Sequence, residues 1–398
     1  MIEEFRNRYN QSFTEEKYQE FLNTIRSAHG HLPPFRISES PIFIPNALKS
    51  KLIEACDDIQ KLISRPDFKE LTKGAINNAS ITVPNEDEHT LFLQMDFGIT
   101  LNEDGEFHPY LIELQGFPSL YLFQVELAEA YKKHFDVPSH LTAHLSSLNP
   151  GQYIDLLRKM IVGNCDPRNV ILLELEPEKQ ATYIDFLATA HYLGIKILCI
   201  TDLKKDGKQL FYLDEEGNKI KVERIYNRII FDELDQRKDL DREFYFKDEV
   251  EVEWVGHPAW FFRISKYILP LFDSPYVPKT FYLADLNEYP DDLENYVLKP
   301  LYSFAGAGIQ LDLDKEMLDN VEDKSNYILQ QKVEYAAVIK TPSEPAKCEI
   351  RMMMLWEKDE PKGKLVNNLV RLTKGRMVGV KFNKNKDWVG GTVGYFES

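Results

Sequence analysis

The sequence predicts an α+β protein with an α/β unit in its middle, on three observations. Two apolar runs between Leu91 and Leu114 flank a polar turn at Asn102-Glu-Asp-Gly105, the pattern of an antiparallel strand pair. Residues 169–232 alternate strand, helix and strand. The C-terminal part is strand-rich, with strand patterns at 295–299, 308–312, 326–333, 347–355 and 363–370.

Taken in order, the periodicity predicts helices over 14–30 and 45–72, the second with Leu48, Ile53, Cys56, Ile59 and Leu62 spaced for one apolar face. Ser40, Pro41 and Pro45 punctuate the stretch between them. After the 91–114 strand pair, Phe123 to Phe135 returns to a helical pattern. In the α/β unit, Asn169-Val-Ile-Leu-Leu-Glu-Leu is apolar enough for a strand covered on both faces. Glu178 to Tyr192 follows as a helix ended by Gly194, then the strand Ile195–Ile200, and Ile225-Tyr-Asn-Arg-Ile-Ile closes the unit. No glycine-rich turn follows the first strand, which argues against a dinucleotide site of the usual kind. The acidic stretch from Asp232 to Glu253 reads as a solvated linker. Residues 258–269 read as a helix with Trp260, Phe261, Ile264 and Ile268 on its apolar side, stopped by Pro270.

The chain of 398 residues, 43% hydrophobic and 12% aromatic, is long enough for two or three domains with a sizeable core. Its net charge of -16 argues against non-specific binding to nucleic acid or to an anionic membrane surface. Cys56, Cys165, Cys199 and Cys348 are far apart and read as free thiols. The opening residues lack the apolar stretch of a signal peptide, and no run of 18 apolar residues occurs, so the cytoplasm is the expected compartment.

Three constellations carry chemistry. In Tyr296-Val-Leu-Lys-Pro-Leu-Tyr-Ser-Phe-Ala-Gly-Ala-Gly-Ile309, a strand bearing Lys299 runs into a small-residue turn. Gly306 and Gly308 allow close backbone approach to an anion, and Lys299 adds a charged donor; a hairpin with a surface lysine gives the same string. The lysine precedes the glycines, so the segment is not a P-loop. Asp96, Glu113 and Gln115 converge at one end of the 91–114 strand pair, where buried carboxylates are costly unless satisfied: by Mg²⁺, by internal arginines, or by capping turns. Glu349 and Arg351 share a strand face, and Asn367, Asn368 and Arg371 follow on the next strand; either arginine could grip a phosphoryl or carboxylate oxygen, or simply pair with Glu349. The strand Tyr327-Ile-Leu-Gln-Gln-Lys-Val-Glu334 turns polar at its end, as an adenine edge requires, with Gln331 and Glu334 as candidates.

In their joint order these strings resemble the ATP-grasp enzymes, and within them the circularly permuted branch typified by glutathionylspermidine synthase. The string Met95-Asp-Phe-Gly-Ile…Tyr110-Leu-Ile-Glu-Leu-Gln-Gly-Phe-Pro118 matches that branch's D…E-x-N metal motif, here placed before the lysine and glycine-rich loop. The resemblance implies an ATP-grasp fold with permuted order and an α/β pre-ATP-grasp domain. Its segments would be an N-terminal helical region over 1–85, metal-binding strands at 86–130, the pre-ATP-grasp domain at 150–250 and the nucleotide-binding region at 255–398. It implies Mg²⁺ on Asp96, Glu113 and Gln115. It implies ATP on Lys266, Lys299, the Ser303, Gly306 and Gly308 turn, and the hinge residues Gln331, Val333 and Glu334. Arg351, Arg371 and Asn368 would then serve the transferred phosphoryl group, and the 303–308 turn would be a mobile lid. The implied activity is ATP-dependent joining of a small-molecule carboxylate, peptide-like or amino-acid in kind, to an amine through an acylphosphate. A small-molecule kinase and a non-catalytic nucleotide binder are the alternatives. The chain departs from the pattern at Gln115, where asparagine is expected, and at Gln115-Gly-Phe-Pro-Ser119, where the branch has N-A-D-T-P. Oligomeric state is not legible.

Overall fold

A five-stranded antiparallel sheet organises the computed structural model, which describes residues 1–78, 82–302, 308–379 and 382–397. Its order is Gly390–Thr392, Lys364–Thr373, Lys347–Leu355, Phe92–Leu101, Phe107–Gln115. The Phe92–Leu101 strand therefore pairs on one side with its sequence neighbour and on the other with a strand some 250 residues later, with Arg351 opposite Asp96. Period-two alternation sorts the side chains. Leu93, Met95, Phe97, Ile350, Met352 and Val370 bury against Leu48, Leu52, Cys56 and Ile59 of the Asn46–Ile63 helix. The opposite face carries Gln94, Asp96, Glu113, Glu349, Arg351 and Arg371.

A smaller antiparallel sheet has the order Thr280–Tyr282, Tyr327–Gln331, Tyr296–Pro300 and places Lys299 opposite Ile328. A four-stranded parallel sheet, in the order Glu253–Val255, Arg224–Asn227, Val170–Glu174, Lys196–Cys199, forms the α/β unit. The buried Asp185 in its Tyr183–Leu193 helix accepts the N–H groups of Leu120, Leu122 and Phe123, each at 3.0 Å, at the start of the Phe123–His134 helix. This ties the α/β unit to the central sheet, and Phe92, Met353 and Leu369 continue into the same core as Leu172, Phe186 and Tyr226.

Several expectations need correction. The 45–72 helix ends at Ile63, because Pro66 cannot continue it, and a separate turn runs Phe68–Leu71. The 258–269 helix is only Ala259–Arg263; the Ser265 hydroxyl accepts the Tyr267 N–H and starts a distinct 3₁₀ turn, Lys266–Leu271. The 308–312 strand is reduced to a bridge between Leu298 and Gln310. The 232–253 stretch is not simply a solvated linker: Phe244, Phe246, Val250 and Val252 are buried with Trp254 under the parallel sheet. The four cysteines are free thiols, Cys56 and Cys348 buried. Among the described residues no helix is long and apolar enough to cross a membrane.

Candidate functional site

The polar face of the central sheet and the edge of the smaller sheet meet around Glu113. A bulge creates the meeting point: Asp96 lies opposite Glu113 but Phe97 lies opposite Leu111, so Ile112 is passed over in the register. Its carbonyl oxygen, left out of the ladder, accepts the Lys299 ammonium at 3.3 Å. Lys299 also donates to Gln330 Oε1 at 2.5 Å. Both acceptors are neutral. Burial pulls the Lys299 pKa down to about 8; Glu113 and Glu349 oppose the shift, and Lys266 adds to it. Lys266 is itself buried, and burial lowers its pKa against the pull of Glu113. Two buried lysines thus lie close together, with Glu113 acting on both and Glu349 on Lys299. A cavity beside Lys266, bounded by Glu113, Gln115, Phe117 and Tyr302 and not by Lys299, is about 20 Å³, room for roughly one water.

Beside this corner lies a compensated charge network. Arg351 grips Asp96 with two bonds, Nε–Oδ1 at 2.5 Å and Nη2–Oδ2 at 2.6 Å, and its Nη1 reaches Gln94 Oε1 at 3.1 Å. Arg371 Nη2 donates to Asp96 Oδ2 at 2.6 Å and to Glu349, and lies 3.8 Å from Glu113. The Tyr335 hydroxyl donates to Glu349 Oε2 at 2.7 Å. Its ring lies over Gly98, where a Cβ would come within 2.4 Å of Tyr335 Cε1, so only glycine fits beneath it. Burial would raise the Asp96 pKa, but Arg351 and Arg371 outweigh it and hold it low. Burial pushes the Glu349 carboxyl up in spite of Arg371, with Asp96 and Glu113 contributing. Arg371 is held charged because Glu349, Asp96 and Glu113 together exceed the cost of its burial.

The donor set does not fit a Mg²⁺ held jointly by Asp96, Glu113 and Gln115. Both Asp96 oxygens are taken by guanidinium groups. The Gln115 amide nitrogen points at Glu113 Oε1 at 3.4 Å. Among the described residues no group of three or more histidine, cysteine, aspartate or glutamate side chains is arranged to hold a metal ion. Arginine pairing, another possibility the sequence left open, is what Asp96 shows.

Other expected residues sit apart. Asn368 is opposite Met352, on the sheet face away from Arg351 and Arg371, and bonds the Ala143 and Gly394 carbonyls at 2.9 Å each. This corrects its placement on one wall with the arginines: strand parity separates 368 from 371. Gln331 and Glu334 are exposed, and Val333 is half-buried. Ser303 and Gly306 lie outside the described residues, as does most of the 303–308 lid. Gly308 is described, at φ +72, where a Cβ would come 2.7 Å from Pro300 Cγ. Two residues were missed. Gln330, rather than Gln331, turns inward to Lys299, and its amide nitrogen is buried with no hydrogen-bond partner among the described residues. Tyr335 was the other. A buried glutamine ending the apolar run Tyr-Ile-Leu was the available signal for Gln330.

A second, larger space opens beside Arg351 and Arg371. It is a cleft of about 850 Å³ whose apolar wall includes Phe35, Leu120, Phe123, Leu127 and Leu369.

No family model matches the chain, and no curated protein matches it in sequence. Among solved structures, its fold is similar to that of a glutathione synthetase-like effector, GSS30, from Globodera pallida in its apo form. The TM-score is 0.58 at 14% sequence identity, over 96% of this chain and 96% of that one. The likeness extends over nearly the whole length of both chains, so the arrangement of sheets described above is a shared architecture and not a local coincidence.

Proposed function

We propose that this chain is an ATP-grasp protein of permuted order that binds ATP at the Lys299 corner and joins a small-molecule carboxylate to an amine. The observation that carries the reading is Lys299: a buried ammonium whose acceptors among the described residues are both neutral, next to a second buried lysine and to Gln330, whose amide nitrogen has no partner among those residues. A buried cation so poorly compensated is costly to the empty protein and is relieved by a polyphosphate. The full-length likeness to a glutathione synthetase-like protein and the pairing of the Phe92–Leu101 strand with Lys347–Leu355 support the permuted order.

In this reading ATP supplies a γ-phosphoryl group to the carboxylate oxygen, ADP departs, and the amine nitrogen then displaces phosphate and loses a proton. The residues of the chain bind and orient. Lys299 and Lys266 hold phosphate oxygens. Gln330 holds Lys299 in place, and the exposed Gln331 and Glu334 with Val333 form the strand end that receives the base. Arg371, tensioned between Asp96 and Glu349, presents its guanidinium where the acid and the transferred phosphoryl meet, and Arg351 keeps Asp96 from drifting. The cavity beside Lys266, about 20 Å³, is too small for a nucleotide, so entry requires this corner to open. The compartment proposed is the cytoplasm.

A second reading, nucleotide binding without catalysis, is favoured by one observation: Asp96 is committed to two arginines. Positional isotope exchange in ATP separates the two. Exchange that depends on an added carboxylic acid supports the ligase; nucleotide binding with no exchange across an acid panel supports the binder.

A further inference from the structure

The cleft beside Arg351 and Arg371 has a composition unlike the rest of the molecule. The chain carries net charge -16. Yet among the described residues lining the cleft, five are cations (Arg36, Arg351, Arg371, Lys384 and Lys386) and one, Asp387, is an anion. The counter-charges lie behind the wall. Glu39 pairs with Arg36, Glu344 with Lys386, and Asp96 and Glu349 with the two sheet arginines, and none of these carboxylates lines the space. Lys384 is exposed and makes no ion pair among the described residues. Most of the remaining wall is apolar, from residues such as Phe35, Leu120, Phe123, Leu127 and Leu369, with Gln124 and Thr392 among the polar residues between them. At about 850 Å³ the cleft falls in the range of small-molecule sites and is far larger than the cavity beside Lys266.

We infer that this cleft takes the acid substrate, and that the acid is an apolar monocarboxylate, an aromatic or branched aliphatic body ending in one carboxylate, rather than a compact polar or peptide-like acid. The inference rests on the ligase reading for the word substrate, while the binding site stands on the cleft itself. The geometry supports the assignment through Arg371. It lines the cleft, and its Nη2 is also 3.8 Å from Glu113 at the nucleotide corner, so a carboxylate seated on Arg371 lies at the border of the two spaces. An apolar body gains by covering Phe35, Phe123 and Leu127, whereas a compact polar acid leaves that wall in contact with water.

Calorimetry on the full chain with three probes tests this: 3-phenylpropionate (apolar body and carboxylate), glutarate (carboxylates without the body) and 3-phenylpropylamine (the body with the opposite charge). The inference expects 3-phenylpropionate to bind at least tenfold more tightly than either other probe, and Lys384→Glu, an exposed change that folding should tolerate, to weaken it at least threefold. Binding of glutarate as tight as or tighter than 3-phenylpropionate, equal binding of the amine, or no binding of 3-phenylpropionate overturns the inference. ATP titration without acid reports on the nucleotide reading separately, because Lys299 does not line the cleft. ATP binding with no preference for 3-phenylpropionate removes the inference alone. Tight 3-phenylpropionate binding without ATP binding upholds the site and removes the nucleotide reading.

Discussion

Asp96 and Lys299 are both charged, both buried, and both reach the Glu113 strand, but their surroundings are opposite. Asp96 has two guanidinium partners and a depressed pKa; Lys299 has two neutral oxygens and a pKa drawn down to about 8. A charge compensated by its own chain is part of the fold. A charge left to neutral acceptors is a cost to the fold, which the proposed reading assigns to ligand binding. The contrast separates a charge that the chain compensates itself from one that it leaves poorly compensated.

The largest effect expected is at Asp96. Asp96→Ala leaves Arg351 buried without its carboxylate and should cost about 3–5 kcal/mol, measured by urea unfolding. A loss under about 1 kcal/mol would mean that the network is not holding the sheet together. Lys299→Met should do the reverse, stabilising the empty protein by about 1–3 kcal/mol because a poorly compensated charge is removed. Destabilisation by this variant would break the comparison.

The pH dependence sharpens it. The folded pKa of Lys299 is about 8, below the unfolded value. Between the two values the unfolded chain binds more protons, so the Lys299 contribution to stability rises with pH. The advantage of Lys299→Met should therefore be largest below pH 8 and shrink above it, reaching its floor near the ordinary lysine pKa of about 10.4. A pH-independent gap between the two proteins would contradict the assignment.

Gly98→Ala acts on the compensated side more gently. The added methyl meets the Tyr335 ring, and the tyrosine must leave Glu349, for a loss of about 1–3 kcal/mol. Unchanged stability would show that the ring moves freely.

The sequence revealed strands better than the pairings that make the site. Phe92–Leu101 and Lys347–Leu355 are apolar enough to be read as strands, but nothing local says that Arg351 faces Asp96 across a 255-residue gap. The bulge that frees the Ile112 carbonyl, which the Lys299 ammonium meets, has no residue signature. Strand parity explains two errors of residue choice: Gln330 and not Gln331 turns inward, and Asn368 turns away from Arg371. Phe244 and Phe246 were hidden in an acidic stretch because composition averages over side chains that alternate between core and solvent. The possibility that Asp96 and Glu113 meet arginines rather than a metal was legible; which arginines required the fold.

The central claim is that Lys299 is kept under-compensated for a polyphosphate. Calorimetric titration of ATP into the wild-type chain and into Lys299→Met, with folding of both checked by thermal unfolding, tests it directly. The account predicts saturable binding to the wild-type protein, weakened at least tenfold in a variant that melts at the same or a higher temperature. Equal ATP affinity in the two, or no binding to the wild-type protein, would contradict it.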